Sequence, residues 1–211
     1  MSRYKAVLFD IDGTVEDTTE FIHQAFEHVF TITNSPAIPR ENINPLIGLP
    51  LKEIYERFPT GVPYESLRDM HNDFQMKRLD LIRGYDGIKH VLETLQKADI
   101  QLAAVSSRKR EVLEATLSHS GLLQYFKTVI GPYDTPHHKP HPAPALLALE
   151  RMNISPTDAI MIGDSYVDIE TGKNAGTATM RVTYGFNTDK IDEPKPDHIA
   201  HTPHEILRFI M

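Results

Sequence analysis

Residues 6–17 read AVLFDIDGTVED. A run of four apolar residues, Ala6–Phe9, ends in two aspartates separated by a single residue, Asp10 and Asp12, and Gly13 follows at once. A short apolar run bounded by turn residues is the mark of a strand buried on both faces. Residues i and i+2 of an extended strand project to one side, roughly 6–7 Å apart, so Asp10 and Asp12 can address one small ligand together. Uncompensated, their charges repel and raise each other's pKa values. The compensation has to come from elsewhere in the chain.

The same apolar pattern recurs at Leu102–Val105, Val129–Ile130 and Ala159–Ile162, more weakly at Thr179–Thr183, and at His198–Ala200. Helical stripes lie between them. Ile88, Val91, Leu92 and Leu95 share one face, as do Val112, Leu113 and Leu117. Ala143–Met152 follows Pro142, where a missing N–H costs little, and Asp168–Ala175 stops at Gly176. This alternation predicts an α/β fold: a Rossmann-like parallel sheet core with helices on both faces. Pro194-Lys195-Pro196 reads as a loop before the last strand.

Residues 17–82 break the alternation. Asp17 and Glu20 have capping-box spacing. Phe21, Ala25, Val29 and Ile22, Phe26, Phe30 form two adjacent i, i+4 rows, a wide apolar face. Leu51–Phe58 reads as a second helix and Tyr64–Ile82 as a third, with Leu67, Met70, Phe74 and Leu81 on one side. The pattern predicts an inserted all-helical cap domain over residues 17–82 on a core of residues 1–16 and 83–211. Gly84 and the residues around Val15 would be the hinges.

A chain of 211 residues suits such a domain with an insertion. The formal net charge of −7 argues against a nucleic-acid binder. It does not argue against an anionic substrate, because a lysine, a helix N-terminus or a bound cation can dominate locally. The absence of cysteine excludes disulfides, thiolate zinc sites and cysteine nucleophiles. No run approaches the ~18 apolar residues of a membrane span, and MSRYKAVLF lacks a signal-peptide layout. The expectation is a cytoplasmic protein with no membrane partner.

Ligands of open parallel sheets bind beyond the carboxyl ends of the strands, so the residues after each run matter most. They are Asp10 and Asp12; Ser106, Ser107 and Arg108; the loop GPYDTPHHKPHP with Lys139; and Gly163-Asp164-Ser165 with Asp168 beyond. Each alone has a plain structural explanation as a turn, a cap or a solvated lysine. Their convergence on one sheet edge does not. A hard divalent cation with oxygen ligands, Mg²⁺, reconciles the clustered carboxylates and meets a substrate phosphate. Lys139 adds a positive charge, and Ser106 with the N–H groups of Ser107 and Arg108 opening a helix would bind an anion. Together they describe a phosphoryl-transfer site. His137, His138 and His141 flank Lys139; they read as loop histidines in preference to a transition-metal site.

FDIDGTVED closely resembles the DxDGT signature of the haloacid dehalogenase-like (HAD) superfamily. Ser106 after an apolar strand resembles the second motif of that family, Lys139 in HKPHP the third, and GDSYVDIETGKNAG, residues 163–176, the fourth. The resemblance runs from about Tyr4 to the end. The helical insertion resembles a C1-type cap, and IGLPLKEIY, residues 47–55, looks like a segment of phosphoglycolate-phosphatase-like members. The resemblance implies a phosphatase cleaving a small phosphorylated metabolite through an aspartyl-phosphate. Asp10 would be the nucleophile and Asp12 the proton shuttle. Mg²⁺ would be held by Asp10, the backbone carbonyl of Asp12 and Asp164, with Asp168 orienting metal waters or pairing Lys139. Ser106 and Lys139 would bind the phosphoryl group, helped by the backbones of Ser107 and Gly13. Ile47, Gly48, Leu49 and Arg108 are candidate substrate contacts, Arg108 reaching the substrate or pointing to solvent.

The alternatives within this chemistry are an inorganic pyrophosphatase and a β-phosphoglucomutase-type phosphosugar mutase. Dehalogenation fits less well, because Asp12 and the further carboxylates have no part in it. A phosphonatase would need a cap lysine; Lys52 is nearby but reads as an exposed helix residue. A non-enzymatic phosphate-binding regulator would not need the complete motif set. The expected assembly is a monomer or weak homodimer. Relatives often read DGTLVDS where this chain reads DGTVEDT, so Glu16 replaces an apolar residue; it is expected to be a solvated linker residue.

Overall fold

The computed structural model describes residues 3–186 and 194–211. Residues 1–2 and 187–193, which fall within the expected core ranges, lie outside the described residues. Six strands form one parallel sheet: β1 (Ala6–Phe9), then, after a two-residue strand β2 (Glu16–Asp17) and its partner β3 (Arg83–Gly84), β4 (Gln101–Val105), β5 (Thr128–Ile130), β6 (Ala159–Gly163), β7 (Ala178–Val182) and β8 (His198–Ala200). The order across the sheet is β5-β4-β1-β6-β7-β8. Every apolar run of the sequence is a strand of this sheet, and β1 lies between β4 and β6 with Phe9 opposite Ala104 on one side and Ile162 on the other.

The helices are α1 (Thr19–Ile32), α2 (Arg40–Ile43), α3 (Leu51–Arg57), α4 (Tyr64–Lys77), α5 (Ile88–Lys97), α6 (Arg110–His119), α7 (Ala143–Met152), α8 (Tyr166–Ala175) and α9 (Pro203–Ile210). Strand β1 divides its side chains by the period of two that a strand imposes. Val7 and Phe9 enter one apolar cluster with Leu92 and Leu95 of α5, Leu113 and Leu117 of α6 and Ile206 of α9. Ala6 and Leu8 enter a second cluster with Ala145, Ala148 and Leu149 of α7. The chain leaves β1 towards β4, then returns to β6 on the opposite side of β1, so the sheet's topological switch lies beside Asp10.

A third apolar cluster belongs to the helices between β2 and β3. Phe21, Phe26 and Val29 of α1 pack on Ile54 and Tyr55 of α3 and Leu67 of α4, and Val112 of α6 joins them from the sheet side. The chain enters and leaves this layer through the β2–β3 ribbon, with Glu16 opposite Gly84 and Asp17 opposite Arg83.

Two local expectations differ from the structure. Asp17 and Glu20 do not form a capping box: Asp17 Oδ1 accepts from the N–H and hydroxyl of Thr19, while Glu20 is drawn away by Arg40, 2.5 Å off. A bidentate guanidinium outcompetes one backbone N–H. The third helix ends at Lys77, not Ile82, and a 3-10 turn follows. Its buried face is only partly the expected one: Leu67 is buried and Met70 and Leu81 pack against the same apolar cluster, but Phe74 is only half-buried, and His71, Asn72 and Gln75 are buried beside Leu67. That polar face borders a cavity, described next, and a cavity wall need not be apolar.

Candidate active site

The loop after β1 is wound around one carbonyl. The N–H groups of Thr14, Val15 and Glu16 all point to the Ile11 carbonyl, at 3.2, 3.0 and 2.9 Å. Gly13 makes this possible with a φ of +81°, and a Cβ there would lie 2.5 Å from Asp164 Oδ2. A glycine is thus required both for its conformation and for the close approach of β6.

Asp10 is buried, and Lys139 Nζ lies 2.7 Å from its Oδ1 and 2.7 Å from Asp168 Oδ1. Asp168 uses its other oxygen to accept from the N–H and hydroxyl of Ser165, at 3.2 and 2.6 Å, closing the capping box of α8. Asp164 Oδ2 accepts from the Phe186 N–H at 2.9 Å. Carboxylate oxygens of Asp10, Asp164 and Asp168 lie within 4.8 Å of one another. Burial raises the Asp10 carboxyl to about 7, with the Asp168 charge acting the same way and Lys139 opposing it. The reverse holds for Lys139, whose ammonium is held above its ordinary range by the two carboxylates against its own burial. Three carboxylates face one lysine, so a dication would bring the cluster close to neutrality. The all-oxygen donor set, too, is the kind magnesium takes.

Asp12 faces a different environment. Its Oδ1 accepts from the Thr18 hydroxyl at 2.8 Å and from Arg108, and its Oδ2 lies 3.4 Å from Ser106 Oγ. Arg108 is buried, so of its two readings, reaching the substrate or pointing to solvent, the second falls. Its guanidinium stacks 4.8 Å over the Phe21 ring of α1 and donates to Thr116 Oγ1 at 3.1 Å. Glu16 is also fully buried, which corrects its reading as a solvated linker. Ser120 donates to its Oε1 at 2.7 Å, and Arg108 lies 3.8 Å from its Oε2. Burial raises the Glu16 carboxyl to about 7, opposed by the hydrogen bond from Ser120 and by the nearby Thr116 hydroxyl.

The anion site after β4 is built differently from the expectation. Helix α6 opens at Arg110, and the Arg108 N–H is already bonded to Ser106 Oγ at 3.1 Å. The Ser107 hydroxyl reaches across to the Gly48 carbonyl at 2.7 Å, joining this loop to the helical layer.

Above Asp10 and Asp12 lies a cavity of about 180 Å³. Ile47, Gly48, Leu49, Ser107 and Arg108 line it, while Ser106, Lys139, Asp164 and Asp168 are buried beside its floor. The rest of the lining mixes apolar residues such as Phe26, Leu51 and Ile54 with Lys52 of α3, Arg68, His71 and Asn72 of α4, and Lys109 and His138 beside Arg108 and Lys139. Sequence reasoning missed the α4 residues, since only the fold brings α4 over the sheet edge. Lys52 is largely exposed and lies 3.8 Å from Glu56. The His137 and His141 rings lie 4.3 Å apart, tilted by 34°, and His141 Nδ1 accepts from the Ala143 N–H. Among the described residues the group with metal-ligand spacing is the aspartate trio, not these histidines.

The sequence model of the haloacid dehalogenase-like hydrolases matches residues 7–182. The chain is 34% identical to a putative pyrophosphatase PpaX of Clostridium perfringens, over 98% of this chain and 97% of that protein. It is also 34% identical to pyrophosphatase PpaX of Bacillus velezensis, over 98% and 96%. Among solved structures it is similar to a putative phosphoglycolate phosphatase of Lactobacillus plantarum, with a TM-score of 0.87, 26% identity, and coverage of 98% of this chain and 99% of that one. With the motif residues gathered at one sheet edge and the family model spanning most of its length, the chain belongs to the haloacid dehalogenase-like hydrolases.

Proposed function

We propose that the protein is a Mg²⁺-dependent phosphohydrolase that cleaves a small phosphate monoester through an aspartyl-phosphate, with residues 17–82 acting as a cap. The buried cluster of Asp10, Asp164, Asp168 and Lys139, open through Asp10 to a closed-over cavity, is the observation that carries this reading. Asp10 attacks phosphorus. Asp12, two residues on and held apart from the lysine, protonates the leaving group and then takes the proton of the attacking water. Lys139 holds Asp10 and Asp168 in place and offers charge to the transferring phosphoryl group, with Ser106 beside it. Asp10, the Asp12 carbonyl and Asp164 would hold Mg²⁺, with Asp168 behind them. The cation would neutralise phosphoryl charge in the transition state. Such a site fits a soluble phosphorylated metabolite, and a cytoplasmic monomer or weak homodimer remains the simplest setting for it.

Inorganic pyrophosphate is the second reading. Two observations favour it: the cationic side chains of Lys52, Arg68 and Lys109 in the cavity lining, which suit a leaving group that is itself an anion, and the names of the 34% identical relatives.

The test is phosphate release with Mg²⁺ from phosphoglycolate, sugar phosphates, nucleotides and pyrophosphate, in the native protein and in Asp10→Asn. Release by the native protein alone is expected. Release from none of them, or equal release by both proteins, would sink the reading. Isomerised sugar phosphate with little free phosphate would replace the hydrolase by a mutase.

A further inference from the structure

We propose that Glu16 is a positioning residue: its buried carboxylate orients the Arg108 guanidinium, and Arg108 in turn fixes the carboxylate of Asp12. The proposal rests on Asp12 being the proton shuttle.

The argument begins with the cost of burying Glu16. A carboxylate taken out of water loses several kcal/mol of solvation unless other groups replace it. Ser120 Oγ, from a residue more than a hundred positions along the chain, donates to Oε1 at 2.7 Å. Among the described residues, none donates a hydrogen bond to the buried Oε2. The cation that faces it is Arg108, whose Nη1 lies 3.8 Å away. The carboxylate is therefore held at one oxygen and aimed at the guanidinium with the other.

Four different parts of the chain meet Arg108, which also lines the cavity. Thr116 of α6 accepts from Nη1 at 3.1 Å, Phe21 of α1 lies against its face at 4.8 Å, Glu16 of β2 stands beside Nη1, and Nη2 donates to Asp12. A guanidinium is planar, with its donors in a rigid fork, so fixing one edge fixes the direction of the other. Thr116 and Glu16 hold the Nη1 edge; the Nη2 edge then points to Asp12. Thr18 completes the arrangement by donating to the same Asp12 oxygen at 2.8 Å. Glu16 is also tied to this loop through the backbone, because its carbonyl accepts the Gly13 N–H at 3.0 Å. Removing the Glu16 carboxylate leaves Arg108 free to swing into the cavity it lines. Asp12 would then lose a fixed donor and the orientation that goes with it.

A double-mutant cycle tests this. Glu16→Val is expected to lower kcat about 10-fold or more with KM changed less than about twofold, the signature of losing an interaction that matters in the transition state. Glu16→Gln, which keeps the shape and the Ser120 contact but drops the charge, is expected to lie between Glu16→Val and the native protein. In an Arg108→Gln background, Glu16→Val should cost less than about twofold further, because the two residues act as one unit. Crystal structures of Glu16→Val should find Arg108 turned away from Asp12. Multiplicative losses in the cycle, an effect confined to KM, or an Arg108 still on Asp12 in Glu16→Val would each overturn the proposal. If Glu16→Val does not fold, the same cycle with Glu16→Gln decides. Asp12→Asn is measured in parallel: full activity there removes the proton-shuttle reading and takes the proposal with it, whereas an inactive Asp12→Asn with an additive cycle removes the positioning role alone.

Discussion

Asp10 and Asp12 stand two residues apart on one loop, yet each has its own cation from a different direction. Asp10 meets Lys139, which it shares with Asp168, in a cluster where carboxylates outnumber cations. Asp12 meets Arg108, backed by Glu16 and Thr116. A lysine is a compact point charge that neutralises without dictating direction, whereas an arginine dictates direction. That division matches the two proposed tasks. A nucleophile needs its charge kept and its approach left open. A proton shuttle needs its oxygen held at one place while the proton comes and goes.

The largest expected effect separates the two sides at once. Asp10→Asn should lower phosphate release by about 10⁴-fold or more while circular dichroism stays native, since loss of a nucleophile removes the covalent route altogether. Asp12→Ala should cost about 10²–10⁴-fold, the usual share of a general acid or base. If the two losses were reversed in size, the division of tasks would be wrong. Chelation should stop turnover by the native protein, and Mg²⁺ should restore it; full activity in chelator would mean that the excess of carboxylates on the Asp10 side is compensated in another way. Calorimetry in Asp164→Asn should then find weaker Mg²⁺ binding, while Arg108→Lys should leave it within about twofold, because in the proposed site the Asp12 side would lend the metal only a backbone carbonyl.

A buried base with no counter-charge sharpens the contrast further. His71 of α4 receives a hydrogen bond from, or gives one to, the Tyr55 hydroxyl at 2.9 Å, and burial pushes its pKa down to about 3. It is neutral in the folded protein near neutral pH. The unfolded chain protonates it near 6.5, so between about 6.5 and 3 the unfolded state binds more protons and stability falls as pH falls. The contribution is whole above about pH 6.5 and is diminished by about 2 kcal/mol at pH 5. Thermal melts of the native protein and His71→Gln at pH 7 and pH 5 should show a smaller acid-side loss in the variant; parallel losses would refute the assignment. The smallest effect belongs to the contact between layers. Ser107→Ala removes a single hydrogen bond to Gly48, worth about 0.5–1.5 kcal/mol, and should shift the melting temperature or KM slightly without touching kcat.

Much of the fold could be read because a strand buried on both faces needs only its own residues to declare itself. Each run from Ala6–Phe9 to His198–Ala200 became a strand of one sheet. The motif residues were legible for a related reason: the ends of those strands are all at one edge, so position in sequence gives position in space. Glu16 was not legible. Its burial depends on Ser120 and Arg108, neither of which has any local relation to it. The failed capping box at Asp17 and Glu20 has the same cause in miniature, since Arg40 lies twenty residues on. The polar face of α4 was misread because an apolar stripe was sought where the helix borders a cavity instead of a core. Local pattern is informative where the partners are backbone and neighbouring apolar surface, and silent where they are single side chains far along the chain.

The chain crosses between its helical layer and its sheet twice, at Glu16–Asp17 and at Arg83–Gly84, and the two crossings are hydrogen-bonded to each other. Two independent tethers would let the layers slide, twist and tilt. Tethers joined into a ribbon bend easily about one line and resist shear, because shear would break the bonds between them. Under the proposed cap, displacement of one layer over the other would reduce to a single angular coordinate, and Glu16, seated on that line, would pass the angle on to Asp12.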